Sequence, residues 1–97
     1  MKIDGGCVCG HITYEADVDP EQVGLCNCTD CQKFSGSAFR VGVPTPDTAF
    51  NLLSGGLKTY VKTAESGGKR EQAFCPECGT HLYSTSTGDG PRVLRLR

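Results

Sequence analysis

No stretch of this sequence approaches the roughly 20 consecutive apolar residues that a membrane-spanning helix needs. No charge of one sign dominates. Ten Lys and Arg stand against eleven Asp and Glu, so no strong field favours nucleic acid or an anionic membrane. No window keeps a 3.6-residue apolar period for three turns, which argues against a helical bundle. There are no internal repeats and no low-complexity segment. No apolar leader follows Met1-Lys2-Ile3, so a reducing, cytoplasmic compartment is expected. At 97 residues the chain reads as one domain, 1–97, with a core small enough for metal staples to matter.

What the chain does have is cysteine, seven of them. An odd number cannot pair off as a disulfide framework. Cys26-Asn27-Cys28-Thr29-Asp30-Cys31 is a C-x-C-x-x-C run that sets three thiols within six residues. Zinc takes thiolates at about 2.3 Å and prefers four tetrahedral ligands. Three protein ligands therefore leave one position open for chemistry. Cys7-Val8-Cys9 is a second group. Cys75-Pro76-Glu77-Cys78-Gly79 is a third, with the pattern of a zinc knuckle. Two pairs make four ligands, enough to close a structural site. A competing arrangement sets a member of the central triad with Cys75 and Cys78 and strands Cys7 and Cys9. His11 and His81 each follow a cysteine group and can complete a site. Neither has the second histidine three to five residues away that zinc sites often show, and both also read as ordinary strand residues with a polar tip.

The rest of the chain alternates. Ile12, Tyr14, Ala16 and Val18 interleave with His11, Thr13, Glu15 and Asp17 in the clearest strand,. Asp19-Pro20-Glu21 is a turn. Val23 and Leu25 alternate into Cys26, so a strand delivers the triad. Thr29-Asp30 suits the cap of one helical turn over Cys31 to Ser35. Ser35-Gly36-Ser37 is a turn, and Phe39, Val41 and Val43 form a one-sided strand. Pro44-Thr45-Pro46-Asp47 reads as a loop. Phe50 to Leu53 and Leu57 to Lys62 read as strands across a hairpin-like Ser54-Gly55-Gly56 turn. Further turns fall at Ser66-Gly67-Gly68 and Gly88-Asp89-Gly90-Pro91. Strands run into the knuckle at Glu71 to Phe74, out of it at His81 to Ser84, and over Arg92 to Leu96. Roughly eight short strands between glycine-rich turns predict an all-β domain.

Four stretches, Gly6-Cys7-Val8-Cys9-Gly10, Cys26 to Lys33, Phe34 to Phe39 and Phe74 to Thr80, occur in an order that resembles the glutathione-dependent formaldehyde-activating enzyme family, whose domain also occurs in centromere protein V. The resemblance implies a small zinc-stapled fold of short coiled β-sheets of the β-tent type, with zinc at the sheet ends. It implies two zinc ions. Cys7, Cys9, Cys75 and Cys78 would hold the structural one, and Cys26, Cys28 and Cys31 the catalytic one. Two positions depart from the family's usual pattern: Asn27 stands where a histidine or serine is common, and Gln32 where a basic residue is. Family members usually continue beyond the last strand, so a C-terminal segment is expected to be lacking here.

The activity this implies is that of a carbon–sulfur lyase, similar to S-(hydroxymethyl)glutathione synthase. A glutathione-like thiol would add to formaldehyde or a related small electrophile, or the adduct would be cleaved. A soft three-thiolate site suits a thiol as fourth ligand. Ser35 and Ser37 are positional candidates for donating to the developing alkoxide, and equally plain turn formers. Lys33 and Arg40 are candidates for substrate carboxylates, and equally plain solvated surface. Three other readings stand beside the enzyme. One is a non-catalytic zinc-binding interaction module. A nucleic-acid module is disfavoured by the balanced charge. The last is a redox protein using Cys75 and Cys78.

Overall fold

The computed structural model describes residues 1–63, 67–87 and 92–97. Among them the chain forms nine strands and one α-helix: β1 (Lys2–Gly6), β2 (Thr13–Asp17), β3 (Gly24–Cys26), α1 (Thr29–Ser35), β4 (Arg40–Pro46), β5 (Phe50–Ser54), β6 (Lys58–Thr63), β7 (Lys69–Phe74), β8 (His81–Ser86) and β9 (Val93–Leu96). Single 3₁₀ turns cover Pro20–Gln22 and Asp47–Ala49. The strands make two antiparallel sheets. One has the order β1-β2-β5, and the other β3-β4-β9-β8-β7-β6. The all-β expectation holds, and both cysteine groups lie at strand ends.

The alternation in the first sheet explains where the core sits. Ile12, Tyr14, Ala16 and Val18 are all buried. They point from β2 and its flanks toward the larger sheet, where Leu82 and Leu96 meet them in one cluster with Cys75. Phe50 joins the two layers, stacked on Tyr14 at 5.1 Å and edge-on to Tyr83 at 5.4 Å. Strand β1 has no apolar alternation because two of its five residues are glycine. Gly5 is needed there, since a Cβ would come within 2.6 Å of the Tyr14 hydroxyl. Ile12 is the most enclosed large side chain, at 0 % exposure. Ile12→Ala should therefore cost about 2–5 kcal/mol through lost burial and the cavity left behind, read as a lower urea midpoint of the metal-loaded protein.

Three sequence expectations need correction. Phe50–Ser54 and Lys58–Thr63 do not form a hairpin. The first pairs with β2 and the second with β7, so the Ser54-Gly55-Gly56 segment carries the chain from one sheet to the other. Gly55 makes the crossing possible. Its φ is +83°, and a Cβ would collide with the His11 carbonyl oxygen,. Pro44-Thr45-Pro46 is not a loop but the second half of β4, paired with Arg95, Leu94 and Val93. The prolines fit because β3 reaches only to Gly42. Beyond that point β4 has a neighbour on one side, and a missing N–H need not break a ladder bond. The third correction concerns Phe39, Val41 and Val43. Only Val43 packs on the core, while Phe39 and Val41 are exposed. The three-stranded sheet does not extend under that end of β4, which also leaves Val23 and Leu25 uncovered. The turn expected at Ser66-Gly67-Gly68 lies partly, and that at Gly88-Asp89-Gly90-Pro91 wholly, outside the described residues. Gly67 itself has a positive φ of 86°.

One face of the larger sheet packs on the core and the other does not, as is common for antiparallel sheets. Register fixes which residues share that second face. Lys62 lies opposite Arg70, Tyr60 opposite Gln72, Gln72 opposite Ser84, Ser84 opposite Arg95, and Arg40 opposite Cys26. Directly paired residues project to the same side. A row of polar and cationic side chains drawn from distant parts of the chain thus lines the face that α1 covers at one end.

Candidate metal centres

Two groups of metal-ligating side chains come together among the described residues. They contain all seven cysteines and no histidine. The first is Cys7, Cys9, Cys75 and Cys78, with every Sγ within 4.8 Å of the others. Cys7 Sγ to Cys9 Sγ is 3.5 Å, and Cys9 Sγ to Cys75 Sγ is 3.7 Å. Four thiolates at about 2.3 Å from a tetrahedral zinc lie about 3.8 Å apart, so the set fits such an ion. The local chain explains the convergence. Each pair sits on a tight turn closed by backbone bonds, Gly10 N–H to Cys7 O at 3.2 Å and Gly79 N–H to Cys75 O at 2.9 Å. Gly10 and Gly79 take positive φ of 82° and 77°. Amide donors aim at the sulfurs: Ile12 N–H at Cys7 (3.2 Å) and Glu77 N–H at Cys75 (3.4 Å). The Thr80 hydroxyl lies 3.1 Å from Cys78 Sγ and accepts from Val8 N–H at 3.2 Å, tying the two turns together. That hydroxyl, with the Thr80 and Cys9 amides, lowers the Cys78 thiol to about 5. Donors that favour thiolate also favour metal binding.

The second group is Cys26, Cys28 and Cys31, again within 4.8 Å of one another, with no fourth protein ligand among the described residues. Cys26 ends β3. Cys28 is the N-cap of α1, its sulfur accepting from Cys31 N–H at 3.4 Å. Cys31 lies inside the first turn of α1, buried. The expected cap at Thr29-Asp30 is thus one residue early in the chain and is made by a ligand. The Cys28 amide, then the neighbouring thiols and the charge of Arg40, bring the Cys26 thiol down to about 7. Burial pushes Cys31 up to about 11.

The triad forms part of the wall of a cavity of about 330 Å³. The opposite wall is the free face of the larger sheet, with Arg40, Lys62, Arg70, Gln72, Ser84, Arg95 and Arg97. Arg40 is buried, its guanidinium 5.0 Å above the Phe34 ring and donating to Gln72 Oε1 at 3.3 Å. It is not the solvated surface residue that its sequence context allows. Lys62 bonds Asp30 at 2.8 Å and holds α1 against the sheet.

Other sequence candidates fall elsewhere. Ser35 Oγ donates to Cys31 O (2.8 Å) and Phe39 O (3.1 Å), and Ser37 Oγ to Phe39 O (2.8 Å). Both hydroxyls build the turn after α1, and neither lines the cavity. Lys33 lines a separate surface groove with Phe34 and Tyr60. Gln32 Nε2 bonds the carbonyls of Asn27 and Ala38, both at 3.2 Å, bracing the triad loop. His11 is outside any strand. His81 opens β8 and packs edge-on to Phe34 at 5.4 Å, where burial, then Arg40 and Arg97, hold its pKa low. Arg70, Arg95, Arg97 and Ser84 were not picked out from the sequence. Their only signal was shared strand parity, which needs the register to be read.

The chain matches the model of the glutathione-dependent formaldehyde-activating enzyme family over residues 2–96. It belongs to that family. The chain is also similar to an uncharacterized lyase of Schizosaccharomyces pombe, with 28 % identity over 100 residues, covering 96 % of this chain and 65 % of that protein. The chain therefore spans somewhat less than two thirds of that relative's length. The crystal structure of a Rhodobacter sphaeroides protein is similar in fold, with a TM-score of 0.73 at 15 % identity, covering 97 % of this chain and 84 % of that one. The same architecture is thus kept at low identity.

Proposed function

We propose that residues 1–97 form one zinc-dependent lyase-type domain that joins a glutathione-like thiol to formaldehyde or a related small electrophile, or reverses that addition. The observation that carries this reading is the contrast between the two cysteine sets: one offers four thiols, the other three on the wall of an open cavity. Family membership and the lyase relative supply the reaction class. Cys7, Cys9, Cys75 and Cys78 would hold a structural zinc, and Cys26, Cys28 and Cys31 a catalytic one. A zinc bound by the triad supplies an open position that takes a thiol and favours its thiolate. None of the seven cysteines is in a disulfide, and their use as metal ligands would suit a reducing, cytoplasmic setting.

The chain's own residues complete the chemistry. The thiolate sulfur forms a bond to the carbonyl carbon, the carbonyl π pair moves to oxygen, and that oxygen takes its proton from solvent. Arg40 is placed to stabilise the developing alkoxide through its charge, because it lines the same cavity as the triad,. Ser35 and Ser37 are left out of this role, since their hydroxyls bond backbone carbonyls in the turn after α1.

Zinc content with and without glutathione, followed by X-ray absorption at the zinc edge, tests the proposal. Two zincs per chain are expected, with sulfur coordination rising when glutathione is added. Two zincs with unchanged coordination would favour the interaction-module reading, and one zinc would leave the triad without a metal role.

A further inference from the structure

Arg40 holds a charge where charge opposes folding. It is 7 % exposed, and it makes no ion pair with a carboxylate among the described residues. The acidic residue of α1, Asp30, bonds Lys62 instead. A buried cation is destabilising unless a negative group balances it. The partners that Arg40 does have are neutral. Nη1 donates to Gln72 Oε1 at 3.3 Å, on a side chain that is itself 4 % exposed, and the guanidinium carbon lies 5.0 Å from the centre of the Phe34 ring. These contacts fix the guanidinium without cancelling its charge.

They also fix it beside the three-cysteine set. Arg40 is the direct partner of Cys26 in the β3–β4 ladder, so the two side chains leave the sheet on the same side, with Cβ atoms about 5 Å apart. Phe34 follows Cys31 by three residues on α1, one turn along the same helix face. Arg40 is thus joined to both chain segments that deliver the ligands. The other arginines of this face are placed differently. Arg70 and Arg97 donate to Ser84, and Arg95 is exposed on β9. Three thiolates around a divalent ion leave a net charge of about −1 by counting. The same thiols in their protonated form carry none. Loading the set therefore places a negative group beside Arg40, even though the ion itself is a cation.

We propose that Arg40 is the charge partner of the three-cysteine metal set: its guanidinium, held by Gln72 and Phe34, balances the negative loaded centre and so raises the zinc affinity of Cys26, Cys28 and Cys31. This rests on the proposed function only for the metal in that set, and not on any thiol substrate.

The test is competition for zinc between the two-zinc chain and a chromophoric chelator, with no thiol added. Arg40→Met removes the charge and keeps much of the side-chain length. It should weaken zinc at the three-cysteine set about 10–100-fold and leave the four-cysteine set unchanged. Arg40→Lys keeps the charge and should recover most of that loss. Gln72→Glu leaves Arg40 in place but gives it a carboxylate, and should weaken the same zinc about tenfold. Arg92→Met should change nothing, because Arg92 pairs with Glu71 and does not line the cavity. Thermal melts show which variants fold, and Gln72→Glu carries the test if Arg40→Met does not. Unchanged affinity in folded Arg40→Met or Gln72→Glu, equal losses in Arg40→Lys and Arg40→Met, or equal weakening of both cysteine sets would overturn the inference. A wild-type chain that takes one zinc would remove the metal role of the triad and this inference with it. Two zincs indifferent to Arg40 would remove this inference alone and leave the proposed function standing.

Discussion

Cys75→Ser should leave the chain without a cooperative melt and with the four-cysteine metal lost. Cys75 is fully buried and belongs to the core cluster with Ile12 and Leu82. Its set joins the β1–β2 turn of the small sheet to the β7–β8 turn of the large one, so an ion there staples the two layers across most of the sequence. Structural zinc is worth about 10–16 kcal/mol to a small domain, whereas the whole stability of a domain is about 5–15 kcal/mol. Serine keeps the size of the side chain but not the thiolate, so the deficit is not recovered by packing. Circular dichroism melts with zinc analysis decide it. A cooperative transition within about 5 °C of the wild type would remove the structural role from this set.

Cys28→Ser should do the opposite: lower thiol-addition activity by more than about a hundredfold while the fold survives. Cys28 is exposed and contributes nothing to the core. Its one structural duty is to cap α1, and serine is among the best N-cap residues. The substitution thus separates ligand from cap. Activity should fall because two thiols hold an ion less firmly than three. The melting temperature should move by only a few degrees. If Cys28→Ser and Cys75→Ser lost stability equally, the division into a structural and a catalytic set would be wrong.

The cysteine groupings were legible in the sequence because short covalent spacings bring Cys26, Cys28 and Cys31, or Cys75 and Cys78, together without help from the fold. The β2 alternation was legible for a similar reason, since a half-buried strand writes its period locally. What depended on distant partners was not. Gly55 announces a turn but not which sheet the chain enters next; that depends on the pairing of Lys58–Thr63 with the distant β7. Pro44 and Pro46 read as a loop because the limit of β3 at Gly24, opposite Gly42, cannot be seen from their own neighbours. Arg70, Arg95 and Arg97 became one surface only through the β7-β8-β9 register, and Arg40 looked like solvated surface until Phe34 and Gln72 were placed around it. Ser35 and Ser37 show the converse limit. Closeness to the triad in sequence suggested chemistry, while their hydroxyls serve the backbone.

The two cysteine sets also differ in how much chain must move to release what they hold. Cys26, Cys28 and Cys31 lie on one short excursion, from the end of β3 into α1, fixed to the sheet by the β3–β4 ladder and the Lys62–Asp30 bond. That excursion can lift by local opening while the core stays closed. Cys7, Cys9, Cys75 and Cys78 instead bridge turns of both sheets, and Cys75 is part of the core cluster. If both sets hold metal, one position would be emptied and refilled within the folded state, and the other would exchange only as slowly as the chain unfolds,. Loading of the first would follow metal supply through the protein's lifetime, while the second would be settled once, when the chain folds.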